Sequence, residues 1–403
     1  MMRKFVAAAF AVLMLAPGSL WAACAYDNQT EIKSFSAGFQ AWKSVTDAMA
    51  ECGNFQAVLD QEFDQKHVEA FSANPSLYHI GGVANSSLVP LLNNDLIRPL
   101  DDLVAKYGSH LSDAQLIRKD GKIVAIAMMV NAKHLMYRQD IFEELGIAEP
   151  KNYDDVLAVA EALKQAGVVE YPMGATWKAG SNIGLSFIDY FLGEGGTFIN
   201  DDNTPNINNE MGMAVLERMG KLKEYMDPEI LVSDSTYVQQ QFQQGKIAMA
   251  NLWATRAGAM DNPDESTVVG KVAMASAAKG AVRPASTLWW DGIVIAANIS
   301  DEEAEAAFQV AMEGMDTEMV QANNSDAIWL IEGYAPGRFS AGASATAANG
   351  ALPYPASVPM GILFNVLGSG LPAFITGEKD AATTLADIET EYLVAAREEG
   401  LIQ

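Results

Sequence analysis

Four segments set an aromatic ring beside charged or amide side chains. They are TLWWDG (287–292), NLWATRAG (251–258), GATWKAGSN (174–182) and IEGYAPGR (331–338). Two more, SFSAGFQ (34–40) and GGVANSS (81–87), add Phe39 with Gln40 and Asn85 with Ser86. An indole or phenol ring is a flat apolar platform with a polar edge. Asp, Asn, Gln and Arg supply convergent hydrogen bonds. Together they suit a neutral polyhydroxy ligand, which offers C–H faces and many hydroxyls. The candidate ligand-binding residues are Trp289, Asp291, Trp253, Trp177, Trp290, Arg256, Asn85, Phe39, Gln40 and Tyr334. Strand alternation puts Trp289 and Asp291 on one side and Trp290 on the other, which predicts stacking on Trp289 and hydroxyl hydrogens given to Asp291. Packing readings stand beside these. Trp42 is at core spacing on a helix, Arg256 could anchor a helix start, Asn85 could serve as an N-cap, Trp329 and Tyr334 suit packing between lobes, and Arg338 suits a brace to a carboxylate.

The residue patterns of catalysis are missing. The four histidines, His67, His79, His110 and His134, fall in no zinc-binding spacing. No nucleophile elbow, P-loop or dinucleotide-binding glycine pattern is present. A glycoside hydrolase needs two opposed carboxyls about 5–9 Å apart, and with 51 acidic residues the sequence leaves that alternative open. No cofactor and no metal are expected.

The elements that must position these residues alternate. EIKSFS, FQAVLDQEF and SLYHIGGVA read as strands; GFQAWKSVTDAMAEC, DQKHVEAFSAN and NSSLVPLLNN read as helices. Farther on, KIAMANL and KVAMASA are strands among helices at NIGLSFIDYFLGEGG, MAVLERMGKLKEYM and TYVQQQFQQG. Strand–helix alternation predicts an α/β fold with mostly parallel sheets flanked by helices.

Five stretches carry a family resemblance: LVPLLNNDLIRPLDDLVAKYG, DGKIVAIAMMVNAKHLMYRQDIFEELGI, YDDVLAVAEALKQAG, FQQGKIAMANLWATRAGAM and STLWWDGIVIAANISDEEAEAAFQVAMEGM. In order and spacing the chain resembles the carbohydrate-binding extracellular solute-binding proteins of ABC importers. The resemblance implies a two-lobed periplasmic-binding-protein fold with the ligand cleft at the hinge. It places lobe one at 26–131 plus 292–335 and lobe two at 132–291 plus 336–403. It also implies a monomer that delivers a sugar or polyol to a transmembrane permease. Ala127-Met128 stands where the family often has a proline, and Trp289-Trp290 where it often has two glycines. Bulky rings at that place imply a small pocket and a small ligand. Arg256 and Lys178 keep open a non-sugar solute, such as a sugar-phosphate diester or an organic ion.

The chain opens with Arg3 and Lys4, an apolar run from Phe5 to Ala16, then Pro17-Gly18 and small residues. That is the pattern of a cleaved signal peptide over 1–23, and it predicts export to the periplasm. Half of the 403 residues are hydrophobic, and the formal net charge is -25. Such acidity argues against nucleic acid and anionic membranes as partners. The two cysteines, Cys24 and Cys52, would pair in an oxidising compartment; the competing reading makes Cys24 a lipid-modified N-terminus.

Overall fold

A computed structural model describes residues 24–26 and 28–403; the expected leader, 1–23, lies outside them. The early elements follow the hydrophobic periodicity. β1 (Ile32–Ala37), α1 (Gln40–Met49), β2 (Phe55–Asp60), α2 (Phe63–Ser72) and β3 (Ile80–Ala84) succeed one another, and β1 pairs parallel with both β2 and β3. Trp42, Val45 and Met49 share the buried face of α1. Gly82 in β3 is obligatory, because a Cβ there would meet Ser36 at 2.5 Å and the Trp42 ring at 2.8 Å. α3 (Asn85–Asn93) starts one residue earlier than an Asn85 N-cap requires, so Ala84 takes the cap position and Asn85 is the first helical residue.

After α4 (Asp101–Tyr107) come β4 (Leu116–Lys119) and the long β5 (Lys122–Arg138). The chain continues through α5 (Gln139–Leu145), α6 (Tyr153–Ala166), β6 (Tyr171–Ala175), α7 (Ser181–Gly193), α8 (Glu210–Leu222), α9 (Ser235–Gln243), β7 (Ile247–Trp253), β8 (Val272–Ala275) and β9 (Thr287–Ile295). It closes with α10 (Asp301–Glu313), α11 (Thr317–Ala322), the two-residue β10 (Ile328–Trp329), α12 (Ala341–Ala348), the two-residue β11 (Leu352–Pro353), α13 (Val358–Ile375) and α14 (Ala381–Glu398).

β5 carries the architecture. Up to Ala132 it pairs antiparallel with β9; from Lys133 it pairs antiparallel with β7, and from Leu135 also with β8. The strand order is therefore β2-β1-β3-β9-β5-β7-β6. The expected parallel pairing holds for β2-β1-β3 and for β6-β7. The crossing strands β5 and β9 run antiparallel to each other and to their neighbours β3 and β7, so each sheet is mixed where the two meet. A register shift falls between Ala127 and Met129, and the Met128 carbonyl left out of that ladder accepts from the Leu330 amide at 2.9 Å. Such a bulge bends a strand.

The two largest hydrophobic cores lie on either side of this crossing. One runs from Ile32 to Met129 and from Ile293 to Ile331. The other gathers residues from Leu135 to Ala285 and from Tyr354 to Ala396. α13 is long and apolar enough to span a bilayer by length and composition alone. Here Met360, Leu363, Leu367, Leu371 and Ile375 form a buried stripe at helical spacing, part of the second core, and the helix packs on α7 and α14.

Cys24 and Cys52 are disulfide-bonded across a separation of 28 residues. The bond ties the N-terminal arm to the turn after α1. Closing a loop of that size stabilises by about 3–4 kcal/mol in the chain-entropy treatment. Reduction is therefore expected to lower the urea midpoint of the protein clearly. An unchanged midpoint under full reduction would show that the bond contributes nothing to stability.

Candidate functional site

Where the sheets meet, a cavity of about 250 Å3 opens between the two cores. Its walls come from both. β1 and the turn after it give Ala37 and Phe39, the end of β3 and the start of α3 give Ala84, Ser86 and Ser87, and the start of α7 gives Ser181 and Asn182. β7 and the turn beyond it give Trp253, Thr255 and Arg256, while β9 gives Trp289 and Asp291. Asn131 of β5 sits opposite Trp289 in the ladder and also reaches the cavity.

Strand geometry decides the β9 residues. Side chains alternate across a strand, and Trp289 and Asp291 line the cavity while Trp290 turns to pack against the first core. Trp289 meets Trp253 edge to face, with ring centroids 5.8 Å apart and planes at 86°. Behind them Tyr354 lies 4.6 Å from the Trp289 ring. Two half-buried indoles thus form a corner, an arrangement favoured by the ring quadrupole.

That corner is held from below by an ion pair. Lys133 Nζ lies 3.2 Å from Asp189 Oδ2, and both side chains are almost fully buried, at 3% and 1% exposure. The Lys133 ammonium also sits 5.4 Å from the Trp253 ring centroid and donates to Ser186 Oγ at 3.4 Å. On the other side, Trp289 Nε1 donates to Thr287 Oγ1 at 2.7 Å, and Thr287 Oγ1 donates to Asp189 Oδ1 at 2.8 Å. Each cleft indole is therefore joined to one member of the pair. Burial pushes the ammonium down and the carboxyl up, and their mutual attraction opposes both shifts.

Asp291 is only 8% exposed. Burial pushes its carboxyl up to about 7, and the nearby Trp42 indole opposes part of that shift. Arg256 stacks over Phe39, 5.8 Å from that ring's centroid, and donates to Gln239 Oε1 at 3.1 Å. Burial lowers it to about 10, with Asp234 opposing the shift. Asn131 donates to Thr255 Oγ1 at 3.2 Å, while its own Oδ1 is buried without a partner. An orphaned acceptor beside a lone carboxyl is a costly arrangement unless a ligand supplies donors.

Five candidates are gathered here: Trp289, Asp291, Trp253, Arg256 and Phe39. Five are not. Trp177 is wholly buried, packed edge to face on Tyr190 at 6.4 Å, because the residues between β6 and α7 turn inward. Trp290 belongs to the first core's margin. The Asn85 side chain is spent on the backbone of β9, accepting from the Trp290 amide at 2.8 Å and donating to the Leu288 carbonyl at 3.3 Å. Gln40 turns to Ser44 and Asp326. Tyr334 lines a separate recess beside Arg338, which pairs with Asp261. Trp42 is a core residue, 1% exposed.

Sequence reasoning missed Lys133, Asp189, Thr287 and Asn131. The first two left a signal: each is a lone charge in an apolar stretch, IVAIAMMVNAKHLMY and NIGLSFIDYFLG, and charges so placed are almost never buried unless paired. Among the described residues, Cys24, Cys52 and Glu313 lie close enough to suggest a metal group, but the oxidised cysteines offer no thiolate.

A sequence profile for bacterial extracellular solute-binding proteins matches residues 80–312. Solved structures share the fold. An ABC transporter solute-binding protein of Agrobacterium radiobacter K84 in complex with ribitol superposes with a TM-score of 0.81, at 20% identity over 91% of this chain and 98% of that one. The maltose-bound MalE3 of T. maritima gives 0.78, at 16% identity over 90% and 100%. A solute-binding protein of Agrobacterium vitis S4 with bound D-mannitol gives 0.77, at 18% identity over 92% and 99%.

The Asp291 carboxyl makes a testable contribution to stability. The native state holds its proton to about pH 7, whereas an unfolded aspartate releases it near pH 4. Between those values the native state binds more protons, so this group's contribution falls as pH rises. A gap of about three units corresponds to about 4 kcal/mol at most, complete only above pH 7. Urea unfolding of the wild type and Asp291→Asn at about pH 5 and about pH 8 should show the variant gaining relative to wild type at the higher pH. A difference independent of pH would contradict the buried, proton-holding carboxyl.

Proposed function

The chain belongs to the bacterial extracellular solute-binding proteins, and from that premise we propose that its cleft captures a small saccharide or polyol for an ABC importer. The observation that carries this is the Trp253–Trp289 corner standing beside Asp291 in one small cavity. Aromatic faces take the C–H face of a polyol, and the buried carboxyl and Asn131 Oδ1 take hydroxyl hydrogens. A volume near 250 Å3 is at the small end for ligand sites and suits one sugar ring or an open-chain polyol. Ribitol and D-mannitol in the two Agrobacterium proteins are ligands of that size and chemistry.

On this reading the two cores are the lobes, 26–131 plus 292–335 and 132–291 plus 336–403, and β5 and β9 act as the hinge. Closing the lobes would bury the ligand and present a surface to the transmembrane permease. The protein works as a monomer in the periplasm after removal of the leader, and it binds without catalysing. Glycoside hydrolysis would need a second working carboxyl. The other acid of the cleft, Asp234, is occupied in capping α9 through Thr236 and Tyr237, and it pairs with Lys178 at 3.7 Å.

A thermal-shift panel of monosaccharides and four- to six-carbon polyols should raise the melting temperature with one or a few members. For the strongest of them, calorimetry on Trp289→Ala and Asp291→Asn should show affinity reduced about tenfold or more, the cost of a lost platform or charge-assisted bond. Retained affinity alongside lowered stability would make both residues strand-end packing and remove the site.

A further inference from the structure

The charges of the cleft are not balanced. Among the described residues, no carboxylate lies within 4 Å of Arg256, and its one hydrogen bond goes to a neutral amide, Gln239. Lys178 is already matched by Asp234. Two helix starts add to the positive side. The first turns of α3, at Ser86 and Ser87, and of α7, at Ser181 and Asn182, line the cavity, and in neither does an N-cap side chain accept from the first turn, although at α3 the Ser87 hydroxyl accepts from the Ala84 amide. Uncapped helix N-termini present free amides and the positive end of the dipole. α9 also starts at the cavity, but Asp234 caps it.

The acid of the cleft does not cancel Arg256. Among the described residues Asp291 forms no ion pair with Arg256, whose hydrogen bond goes to Gln239 and whose charge is opposed by Asp234. Arg256 stacks on Phe39 and bonds Gln239, whereas Asp291 stands on β9 opposite Ala84, so the two groups present different surroundings to the cavity. A ligand satisfying both must offer an acceptor of negative charge to one and hydroxyl donors to the other. Asn131 Oδ1, buried and unpartnered, asks for a donor too. One unmatched guanidinium calls for one negative charge, and its planar fork suits a carboxylate.

We propose that the ligand is a sugar acid, its carboxylate against Arg256 and the uncapped helix starts, its hydroxyls towards Asp291 and Asn131. This rests on reading the cleft as a saccharide or polyol site and narrows that reading to a monoanion.

The test uses matched pairs: ribonate with ribitol, gluconate with glucitol, mannonate with mannitol, and galactonate with galactitol. Calorimetry at low salt on the mature protein gives each affinity. The acid of at least one pair should bind about tenfold or more tighter than its alditol. In Arg256→Gln, with its melting curve checked, that ratio should collapse towards one. Equal or tighter binding of the alditols overturns the sugar-acid assignment and leaves the polyol reading standing. A ratio that survives Arg256→Gln overturns the role of Arg256. Binding of inorganic phosphate alone, with no member of any pair bound, overturns both the assignment and the reading beneath it.

Discussion

Lys133 and Asp189 form the interaction on which the cleft depends. Taking both ions out of water costs several kcal/mol each before their attraction is counted. A pair of well-packed apolar residues would be no less stabilising, so stability alone does not explain the arrangement. Its geometry does. Lys133 is the first residue of β5 to pair with β7, opposite Trp253, and Asp189 projects from α7. The ammonium faces the Trp253 ring, and the carboxylate fixes Trp289 through Thr287. One buried pair thus orients both indoles, at the place where the chain leaves one sheet for the other.

The other wall is built on a different constraint. β3 approaches α1 so closely that only glycine fits at 82, against the Trp42 ring. That approach sets Trp42 beneath Asp291, and β9 holds Asp291 in register with Ala84. Asn85 then clamps β9 by bonding the Trp290 amide and Leu288 carbonyl. The carboxyl is consequently kept dry and nearly alone, and its proton is held to about 7. A group in that condition is paid for by stability and returns it when a ligand supplies donors.

Much of this was readable in the residues, and the failures have physical reasons. TLWWDG yielded the correct side for all three residues because β9 is a regular strand there, so a two-residue period applied. Phe39, Trp253 and Arg256 lie at the starts of turns that open onto the crossing. Trp177 lies in a turn of the same kind, but those residues fold inward over Tyr190, and no local pattern distinguishes the two outcomes. Asn85 and Gln40 have the right chemistry, yet backbone and neighbouring polar groups claim them. The departure at Ala127-Met128 coincides with the bulge in β5, where a missing ladder bond is replaced by Leu330. Lys133 and Asp189 were visible as isolated charges in apolar elements; that they face each other is a fact of tertiary packing.

The Lys133–Asp189 pair shapes the indole corner. The direct measurement replaces both members at once, Lys133→Met with Asp189→Leu, and compares affinity with unfolding free energy. A single replacement strands a buried charge and should cost about 3–5 kcal/mol of stability, which the double replacement largely restores. The double variant should regain stability and still bind the protein's best ligand about tenfold or more weakly, since the indoles lose their anchors. A double variant that folds stably and binds as tightly as wild type would contradict that role of the pair.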